Sequence, residues 1–460
     1  MSDEGLQQAR DKMAEAGVDP VAIDVFAHYY RLVESGETGM VPESTIEPLD
    51  MPALADVDVS AETARDAIGK TVVVKLNGGL GTSMGMDRAK SLLEVRDGLS
   101  FLDIIARQVL ALRKEYDAPL PLVFMNSFRT SDDTRNALAG YTDLQVDGLP
   151  LEFLQNKEPK LRTDDLTPVT WEKDPALEWC PPGHGDIYTA LRGTGLLDRL
   201  IAEGYTQVFV SNSDNLGAVP DARVAGWFAQ SGAPFAIEAV RRTPSDRKGG
   251  HFATRKSDGR IVLRETAQTL DEDKDALADL ERHRFTSTNN LWFNLAAMRD
   301  ELDRRDGILG LAMIKNTKTV DPADPSSPKV IQIETAMGAA IEVFDGATTI
   351  EVGRDRFVPV KTTNDLLVLR SDCYTLTDDY VLELEAKSVP FVDLDGDHYK
   401  LVGQFDARFS AGVPSLSEAR SLTVHGDWAF GAGVRVVGDA VVQPEGAPGR
   451  IQPGSTIGER

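Results

Sequence analysis

A strand-like run that ends in a glycine-rich loop, residues 71–85, constrains the fold of this chain more than any other stretch. Val72, Val73 and Val74 predict a buried strand, and four glycines follow between Gly78 and Gly85. Glycine leaves no Cβ in the way of a ligand, and such a loop exposes backbone N–H groups at the carboxyl end of its strand. The loop therefore predicts a cradle for phosphate oxygens or the edge of a base, with a ligand-free surface turn as the alternative.

Two common phosphate-binding motifs do not fit this loop. A P-loop needs a second glycine five residues after the first, followed by Lys and Ser or Thr. The residues five positions after Gly78, Gly79 and Gly81 are not glycine. The dinucleotide motif G-x-G-x-x-G fails as well, because Met84 occupies the position of its third glycine.

Composition excludes several classes of protein. The net charge of −24, without a basic block, argues against a nucleic-acid partner. The two cysteines, Cys180 and Cys373, are too few for a disulfide framework, and the six scattered histidines argue against a zinc site. No apolar run approaches the about 20 residues that span a bilayer, and the N-terminus has no signal-peptide core. We therefore expect a cytoplasmic protein that binds neither nucleic acid nor membrane.

Strand and helix patterns alternate from Thr71 onward. Two helices, at 4–17 and 20–35, and an extended segment at 41–59 precede this region. Polar residues follow the strand-like runs that the sequence predicts at 121–125, 151–154 and 207–210. This succession predicts a doubly wound, mainly parallel sheet, in which ligands bind at the carboxyl ends of the strands.

The later part of the chain continues this pattern and then changes. We predict helices at 186–199 and 330–344, strands at 234–240, 260–263 and 291–295, and a strand at 357–360 that carries Lys361. Near-alternating apolar residues with interspersed glycines at 421–442 predict a few coils of a β-helix.

Four side chains are candidates for chemistry. Asp214 follows a predicted strand and could hold Mg²⁺, although a turn aspartate is the alternative. His184 lies in a rigid Pro-Pro-Gly loop and could bind a sugar hydroxyl, unless the loop is only a helix start capped by Asp186. Lys90 and Lys361 could place a charge on a phosphate, unless they are solvated surface lysines. Together, a glycine-rich cradle, a metal-binding carboxylate and lysines favour direct phosphoryl or nucleotidyl transfer.

Eight segments resemble the motifs of eukaryotic-type UTP–glucose-1-phosphate uridylyltransferases, also called UDP-glucose pyrophosphorylases. They are 75–85, 125–128, 179–186, 210–217, 248–250, 288–292, 331–336 and 356–365. The resemblance implies an α/β fold, in which a Rossmann-like nucleotidyltransferase domain with a mixed, mainly parallel sheet (71–372) follows a helical N-terminal region (1–70) and precedes a C-terminal β-helix domain (373–460). It also implies Mg²⁺-dependent, reversible transfer of UMP from UTP to α-D-glucose 1-phosphate, giving UDP-glucose and pyrophosphate.

The resemblance also implies a role for each matching residue. Lys90 and Lys361 would be catalytic and stabilise charge on the α-phosphoryl group, and Asp214 would hold the magnesium. Gly78 and Gly79 would face the uracil, with Gln155 bonded to its edge. The full nucleotide-binding set would be Leu76, Asn77, Gly78, Gly79, Gly81, Thr82, Met125, Gln155, Pro182, Gly183 and Asp214. The glucosyl phosphate would be surrounded by His184, Asn212, Gly250, Glu265, Asn289 and Asn290.

The chain departs from the family pattern in two places. Many members read Cys-Lys-Gly-Pro-Lys-Ser where this chain has residues 86–91, so Asp87 replaces the first lysine and Arg88 is a candidate for the missing cation. The sequence ends at Arg460, short of the last β-helix turn of some oligomeric members, which leaves a homo-oligomer built through the C-terminal domain open. The alternatives are a pyrophosphorylase for other UDP-sugars or for UDP-N-acetylhexosamines, and a non-catalytic sensor, which would not need to keep Lys90, Asp214 and Lys361.

Overall fold

A mixed seven-stranded sheet lies at the centre of the described part of the chain. The computed structural model describes residues 2–446 and 448–459. Its helices are α1 (Ser2–Glu15), α2 (Pro20–Glu34), α3 (Ala61–Gly69), α4 (Phe101–Tyr116), α5 (Ser131–Leu138), α6 (Ile187–Gly193), α7 (Leu196–Ala202), α8 (Ala222–Ser231), α9 (Lys274–Ala278), α10 (Leu295–Arg304), α11 (Thr363–Arg370), α12 (Gly396–Tyr399) and α13 (Val402–Arg408). Among the described residues, none of these helices combines the length and the apolar character that crossing a bilayer requires.

Strands alternate with these helices through most of the chain. They are β1 (Ile46–Pro48), β2 (Thr71–Asn77), β3 (Glu94–Arg96), β4 (Leu99–Ser100), β5 (Leu122–Asn126), β6 (Glu152–Leu154), β7 (Glu158–Pro159), β8 (Leu161–Arg162), β9 (Trp179–Cys180), β10 (Gln207–Asn212), β11 (Phe235–Arg241), β12 (His251–Arg255), β13 (Ile261–Arg264), β14 (Phe285–Asn294), β15 (Met313–Thr319), β16 (Lys329–Thr335), β17 (Thr348–Glu351), β18 (Tyr374–Leu376), β19 (Leu382–Leu384), β20 (Phe391–Leu394), β21 (Ser415–Val424), β22 (Trp428–Phe430), β23 (Arg435–Val442), β24 (Gly449–Ile451) and β25 (Thr456–Ile457).

The central sheet has the strand order β17-β11-β14-β10-β2-β5-β6. Strand β14 runs antiparallel to β10 and β11, whereas the other neighbouring pairs are parallel. The prediction of a mixed, mainly parallel sheet is therefore confirmed. Asn212 pairs with Leu76, which in turn pairs with Met125, so the carboxyl ends of β10, β2 and β5 meet at one edge.

Apolar side chains cover both faces of this sheet, as the near-continuous apolar run of β2 predicts. Val73 belongs to a core layer that also contains Phe101 of α4 and Leu366 of α11. Val72 and Val74 belong to the layer on the other face, which includes residues of α6, α7 and α10. Hydrophobic burial on both faces leaves the carboxyl edge as the place where polar groups from several strands collect.

Two elements that the sequence predicts, the helix at 330–344 and the strand at 357–360, are wrong. Residues 330–344 are not an amphipathic helix but strand β16, paired with β15 and β8, followed by the 3-10 turn Met337–Glu342. A short apolar run has no period that distinguishes a helix from a buried strand. Residues 357–360 are extended but do not form a strand, because only an isolated bridge joins Pro359 to Asn215. Proline lacks the N–H group that a ladder needs.

The predicted helix at 186–199 is broken into α6 and α7. Gly195 has a φ of 70°, a left-handed conformation that ends the hydrogen-bonding pattern between the two helices. By contrast, the predicted start of α4 is confirmed. Ser100 and Asp103 form a reciprocal capping box there.

The N-terminal region packs against the side of the central unit. Phe26 and Tyr30 of α2 share an apolar cluster with Met313 and Ile333 of β15 and β16. The segment at 41–59, predicted to be extended, is extended only in part: β1 pairs with β12, and the 3-10 turns Glu43–Thr45 and Leu54–Asp56 interrupt it.

Parallel strands dominate the C-terminal part. One sheet has the order β20-β21-β23-β25, and a second pairs β22 with β24, all of them parallel. Leu422, Val424 and Val436 are buried between these strands, which is consistent with the alternation predicted at 421–442.

Candidate active site

The glycine-rich loop begins directly after β2 and lies beside Gln155. A Cβ placed on Gly78 would lie 2.7 Å from Gln155 Nε2, so a side chain at this position would displace the glutamine. Gly79 faces open space, since no described atom lies within 4 Å of where its Cβ would stand. The structure therefore places the Gln155 side chain directly against Gly78, while the loop stays open beside Gly79.

Two residues of the predicted nucleotide set turn their side chains into the protein. The Asn77 amide donates to Asn126 Oδ1 (2.8 Å) and Thr134 Oγ1 (2.9 Å), and it is buried. The side chain of Met125 is 1% exposed within the apolar core. These side chains hold the ends of β2 and β5, so a nucleotide could contact these two residues only through backbone.

Other members of the predicted set shape the loop itself. The Leu76 carbonyl accepts hydrogen bonds from Ser213 N (3.1 Å) and Ser213 Oγ (2.7 Å), which fixes the polar turn after β10. Gly81 precedes a 3-10 turn that begins at the exposed Thr82. Arg88 is also exposed on this loop, and its role in place of the family lysine stays a prediction.

Lys90 joins three segments at the carboxyl edge. Its Nζ donates to Asp214 Oδ2 (2.6 Å) and to the carbonyl of Val360 (2.6 Å), while its backbone N donates to Gly79 O (3.1 Å). The side chains of Lys90 and Asp214 are only 19% and 23% exposed. The alternative of a solvated surface lysine is therefore wrong for Lys90, which is an ion-paired cation beside the glycine-rich loop.

Asp214 fits the donor chemistry of a magnesium site. It stands in the turn directly after β10, and its partly exposed carboxylate binds one cation, the Lys90 ammonium. Magnesium is commonly held by one or two carboxylates and takes its other ligands from water and substrate phosphates. Asp214 would offer its carboxylate to the ion once Lys90 moved away from Oδ2.

A second cluster of metal-ligand residues does not fit a metal. Glu43, His251 and His283 are the one such group of three found among the described residues. The two imidazole rings stack 3.7 Å apart at 20°, so one ion about 2 Å from both nitrogens could not lie in both ring planes. Glu43 is already paired with Arg264 and Arg282.

The loop at 181–186 holds His184 as a neutral hydrogen-bond donor. His184 Nδ1 accepts a hydrogen bond from the backbone N of Met337 (3.0 Å), which leaves the ring proton on Nε2. Nearby protein atoms desolvate the ring and lower the pKa of His184 to about 4, although the residue itself is exposed. Gly183, with a φ of 80°, would place a Cβ 2.5 Å from Thr335 O, and Pro182 O accepts from Thr335 N (2.9 Å). The loop is therefore anchored to the end of β16.

Asp186 ties this loop to the residue that follows Gln155. Its carboxylate accepts hydrogen bonds from Asn156 N (2.6 Å) and Asn156 Nδ2 (2.9 Å) and does not cap α6. Burial raises the pKa of Asp186 to about 7, although the two hydrogen bonds from Asn156 oppose the rise. The alternative of a capped helix start is wrong for Asp186.

Apart from His184, the residues predicted to surround the sugar phosphate fall into two contact groups, of which the first joins β10 to β14. Asn289 has a φ of 60° and donates through Nδ2 to Asn212 Oδ1 (3.0 Å). Asn290 is buried, and its Nδ2 donates to Glu238 Oε2 (3.0 Å). The structure therefore brings Asn212 and Asn289 together directly, while the side-chain amide of Asn290 points to a carboxylate inside the protein.

Gly250 and Glu265, together with Lys361, form the second contact group. A Cβ on Gly250 would lie 2.7 Å from Glu265 Oε2. Burial raises the pKa of Glu265, and the nearby Lys361 ammonium opposes the rise. Lys361 is exposed in the turn before α11, where its backbone N donates to Asp365 Oδ2 (2.8 Å).

Sequence reasoning missed four residues that support these groups. Lys75 is buried beneath the turn after β10, where its Nζ donates to Ser211 Oγ (2.7 Å) and Ala218 O (2.7 Å), and burial lowers its pKa to about 7. Asn215, Glu238 and Arg356 form a buried polar network beside it. The signal that could have revealed them is a charged residue within an apolar strand, such as Lys75 in β2 or Glu238 in β11. Such a residue is rarely fully buried without a partner.

Comparison with known proteins identifies the family of this chain. The family model for UTP–glucose-1-phosphate uridylyltransferase matches residues 23–436. The enzyme of that name from Hordeum vulgare is 38% identical over an alignment of 453 residues that covers 95% of this chain and 92% of the barley protein. The enzyme from Saccharomyces cerevisiae is 39% identical over 379 residues, 82% of this chain and 74% of the yeast protein.

A solved structure with the same fold covers nearly the whole chain. A mutant UDP-glucose pyrophosphorylase from Leishmania major, in complex with UDP-glucose, superimposes with a TM-score of 0.93 at 42% sequence identity, covering 99% of this chain and 98% of that chain. These matches confirm the resemblance carried by the motifs and the mixed α/β fold with a parallel-rich sheet. The chain belongs to the UTP–glucose-1-phosphate uridylyltransferase family of nucleotidyltransferases.

Proposed function

We propose that this chain catalyses the Mg²⁺-dependent, reversible transfer of UMP from UTP to α-D-glucose 1-phosphate, giving UDP-glucose and pyrophosphate. A phosphate oxygen of the sugar phosphate forms a bond to the α-phosphorus of UTP, and the bond from that phosphorus to the pyrophosphate oxygen breaks. The observation that carries the proposal is the Lys90 ammonium, held 2.6 Å from Asp214 Oδ2 beside the glycine-rich loop.

The uridine end of the substrate would lie against the loop after β2. Gly79 leaves room for the uracil, and Gln155 lies against the neighbouring Gly78, with an amide that can both donate to and accept from the base edge. Asp186 holds Asn156, and so keeps Gln155 near the loop. Lys75 donates hydrogen bonds to Ser211 and Ala218, and so stabilises the turn after β10 at the same edge of the sheet.

The phosphates would lie between Lys90 and Lys361. Charge grows on the transferring phosphoryl group toward the transition state, and preformed ammonium groups stabilise it without reorganisation. Asp214 would hold Mg²⁺, which when bound neutralises phosphate charge. His184 donates through Nε2, because its Nδ1 is occupied by Met337 N. A neutral donor at this position can bind a phosphate or hydroxyl oxygen over the whole physiological pH range.

The sugar would bind to the polar groups around Asn212, Asn289, Gly250 and Glu265. Buried polar groups that match substrate hydroxyls reject analogues that lack them. The same set is the reason to expect preference for glucose 1-phosphate over N-acetylhexosamine 1-phosphates, whose bulky amide would have to enter this crowded side of the pocket.

The direct test is pyrophosphate release by the purified chain. UTP, MgCl₂ and glucose 1-phosphate should give pyrophosphate and UDP-glucose in equal amounts, and UDP-glucose with pyrophosphate should give UTP. Chelation of the divalent cation with EDTA should stop both directions. Asp214→Asn is the matched inactive control, since it keeps the shape of the side chain and removes its charge.

Either of two outcomes would contradict the proposal and assign another function. Turnover only with N-acetylhexosamine 1-phosphates or other sugar 1-phosphates would assign a different UDP-sugar pyrophosphorylase. Binding of UDP-glucose without any pyrophosphate release or uptake would assign a nucleotide-sugar sensor.

We further propose that residues 1–70, 71–372 and 373–460 are a helical N-terminal region, the catalytic domain and a C-terminal domain that share one apolar core, and that the last is a short β-helix through which copies of the chain associate. The stacked parallel strands after Phe391 support the β-helix. A mass measurement in solution tests the association, and a monomer at all concentrations would contradict it.

We also propose a cytoplasmic location, which the two free, buried cysteines favour.

A further inference from the structure

A fully buried glutamate lies in the central sheet directly behind the candidate site. Glu238 of β11 has no exposed surface, and both of its carboxylate oxygens are fully engaged. Oε1 accepts from Trp292 Nε1 (2.9 Å) and Arg356 Nη2 (2.7 Å), while Oε2 accepts from Arg356 Nε (2.6 Å) and Asn290 Nδ2 (3.0 Å). A buried ion pair is often no more stabilising than a well-packed apolar pair, so stability alone is a weak reason for its presence.

The first structure that Glu238 holds is a bulge in β14. Ile237 pairs with Leu291 and Ala239 with Ser287, so residues 288–290 of β14 stand opposite the single residue Glu238. Bulges re-aim side chains beside active sites, and this one presents Asn289 in a left-handed conformation (φ 60°). Thr288 Oγ1 donates to Glu238 O (2.7 Å), and the Asn290 amide donates to its carboxylate. Glu238 therefore anchors the bulge on both sides of Asn289.

The second structure that Glu238 holds is the segment leading to Lys361. The Arg356 guanidinium binds Glu238 in a bidentate ion pair, and the Arg356 carbonyl accepts from Asn215 Nδ2 (3.1 Å). Asn215 Oδ1 accepts in turn from Val358 N (2.9 Å). Lys361 follows Arg356 by five residues. One carboxylate thus fixes the start of the chain segment that presents the second predicted catalytic lysine.

We propose that Glu238 is a positioning residue for uridylyl transfer. It sets the place of Lys361 through Arg356 and the place of Asn289 through the bulge, without touching either substrate. The inference rests on the proposed function, because it assigns Lys361 to the phosphates and Asn289 to the sugar phosphate. Gln155 and Gly78 lie outside this network, so the uracil end of the site does not depend on Glu238.

The experiment compares Glu238→Gln with the wild-type chain in steady-state kinetics. Because a displacement of about 1 Å can cost about 100-fold, we expect kcat to fall about 10- to 100-fold and the KM for glucose 1-phosphate to rise. The KM for UTP should change less than about threefold. Arg356→Lys keeps the charge but loses the bidentate geometry, and should show the same pattern.

A double-mutant cycle separates positioning from a general loss of stability. If Glu238 acts through Lys361, Glu238→Gln should lower kcat less than about threefold when Lys361 is already alanine. Leu302→Ala, a core change on α10 outside this hydrogen-bonded network, is the stability control: at a similar loss of thermal stability it should leave both KM values unchanged.

Failure of the positioning role can be distinguished from failure of the proposed function. Additive effects of Glu238→Gln and Lys361→Ala, or a loss of kcat that Leu302→Ala reproduces, would overturn the positioning role while leaving the proposed function intact. A wild-type chain that releases no pyrophosphate would overturn the proposed function, and the inference with it. Should Glu238→Gln not fold, the cycle of Arg356→Lys with Lys361→Ala gives the same decision.

Discussion

Replacement of Lys90 by methionine should make the nucleotide-free protein bind divalent cations more tightly. In the structure the Lys90 ammonium donates to Asp214 Oδ2 at 2.6 Å and to Val360 O at 2.6 Å. It therefore occupies one of the two carboxylate oxygens that could bind a metal ion. Lys90→Met keeps the length of the apolar stem and removes the cation, so Asp214 becomes free.

The size of the effect follows from the strength of the pair that is lost. A hydrogen bond to a charged group contributes about 1.5–3 kcal/mol net. Both side chains are about one-fifth exposed, so solvent screens the pair only partly. Since about 1.4 kcal/mol corresponds to a tenfold change in an equilibrium constant, we expect the Kd for the cation to fall about 10- to 100-fold.

Titration with Mn²⁺, followed by calorimetry or electron paramagnetic resonance without nucleotide, measures this Kd. Lys361→Met is the matched control, because no hydrogen bond joins that side chain to Asp214 in the described structure, and its Kd should equal that of the wild type. Lys90→Met combined with Asp214→Asn should lose the gain. Turnover by Lys90→Met should nevertheless fall about 10²–10³-fold, as for other lost electrostatic groups. A Kd for Mn²⁺ that stays the same or rises in Lys90→Met would refute the competition between Lys90 and the cation.

The further predictions concern Lys361, His184 and Gly183. Lys361→Ala should lower kcat about 10²–10³-fold with little change in the KM for UTP, because charge on the transferring group is greatest in the transition state; an unchanged kcat would show that Lys361 is misassigned. His184→Ala should raise the KM for glucose 1-phosphate more than that for UTP, and the reverse would contradict this division of the pocket. The pKa of His184 falls from its ordinary 6.5 to about 4, so the neutral folded form contributes stability that is present above pH 6.5 and is lost as the pH falls toward 4. Between pH 6.5 and 8 the activity should therefore show no titration of His184, and a transition in that window that disappears in His184→Gln would refute the assignment. Gly183→Ala should lower the free energy of unfolding by about 1–3 kcal/mol, because its φ is 80° and the new Cβ would lie 2.5 Å from Thr335 O; a thermal-shift assay that detects no loss would show that the loop relaxes.

The central sheet and the edge that holds the site were predictable from local sequence. The valine run of β2 and the polar residues that follow β2, β5, β6 and β10 are consecutive in the chain, and parallel strands place their carboxyl ends at one edge. The register that aligns Asn212 with Leu76 and Asn77 with Asn126 agrees with this expectation. The family motifs also lie within short segments, so a sequence carries them in full.

Local patterns predicted the wrong element where the same apolar residues fit both a helix and a strand. Val330, Ile331 and Ile333 suit the face of a helix or the interior of a strand, and only pairing with β15 selects the strand. In the same way, Pro359 interrupts a segment that otherwise has the composition of a strand.

Sequence patterns alone established the glycine-rich loop after β2, the succession β2, β5, β6 and β10 along the chain, and the family. Which charges meet depends on the folded structure. Lys90 and Asp214 are 124 residues apart, and Glu238 and Arg356 are 118 apart, so neither ion pair has a local signal. The physical reason is that a charge can be buried only when the fold brings a partner to it, and the partner's position in space depends on the packing of the whole sheet rather than on any neighbouring residue.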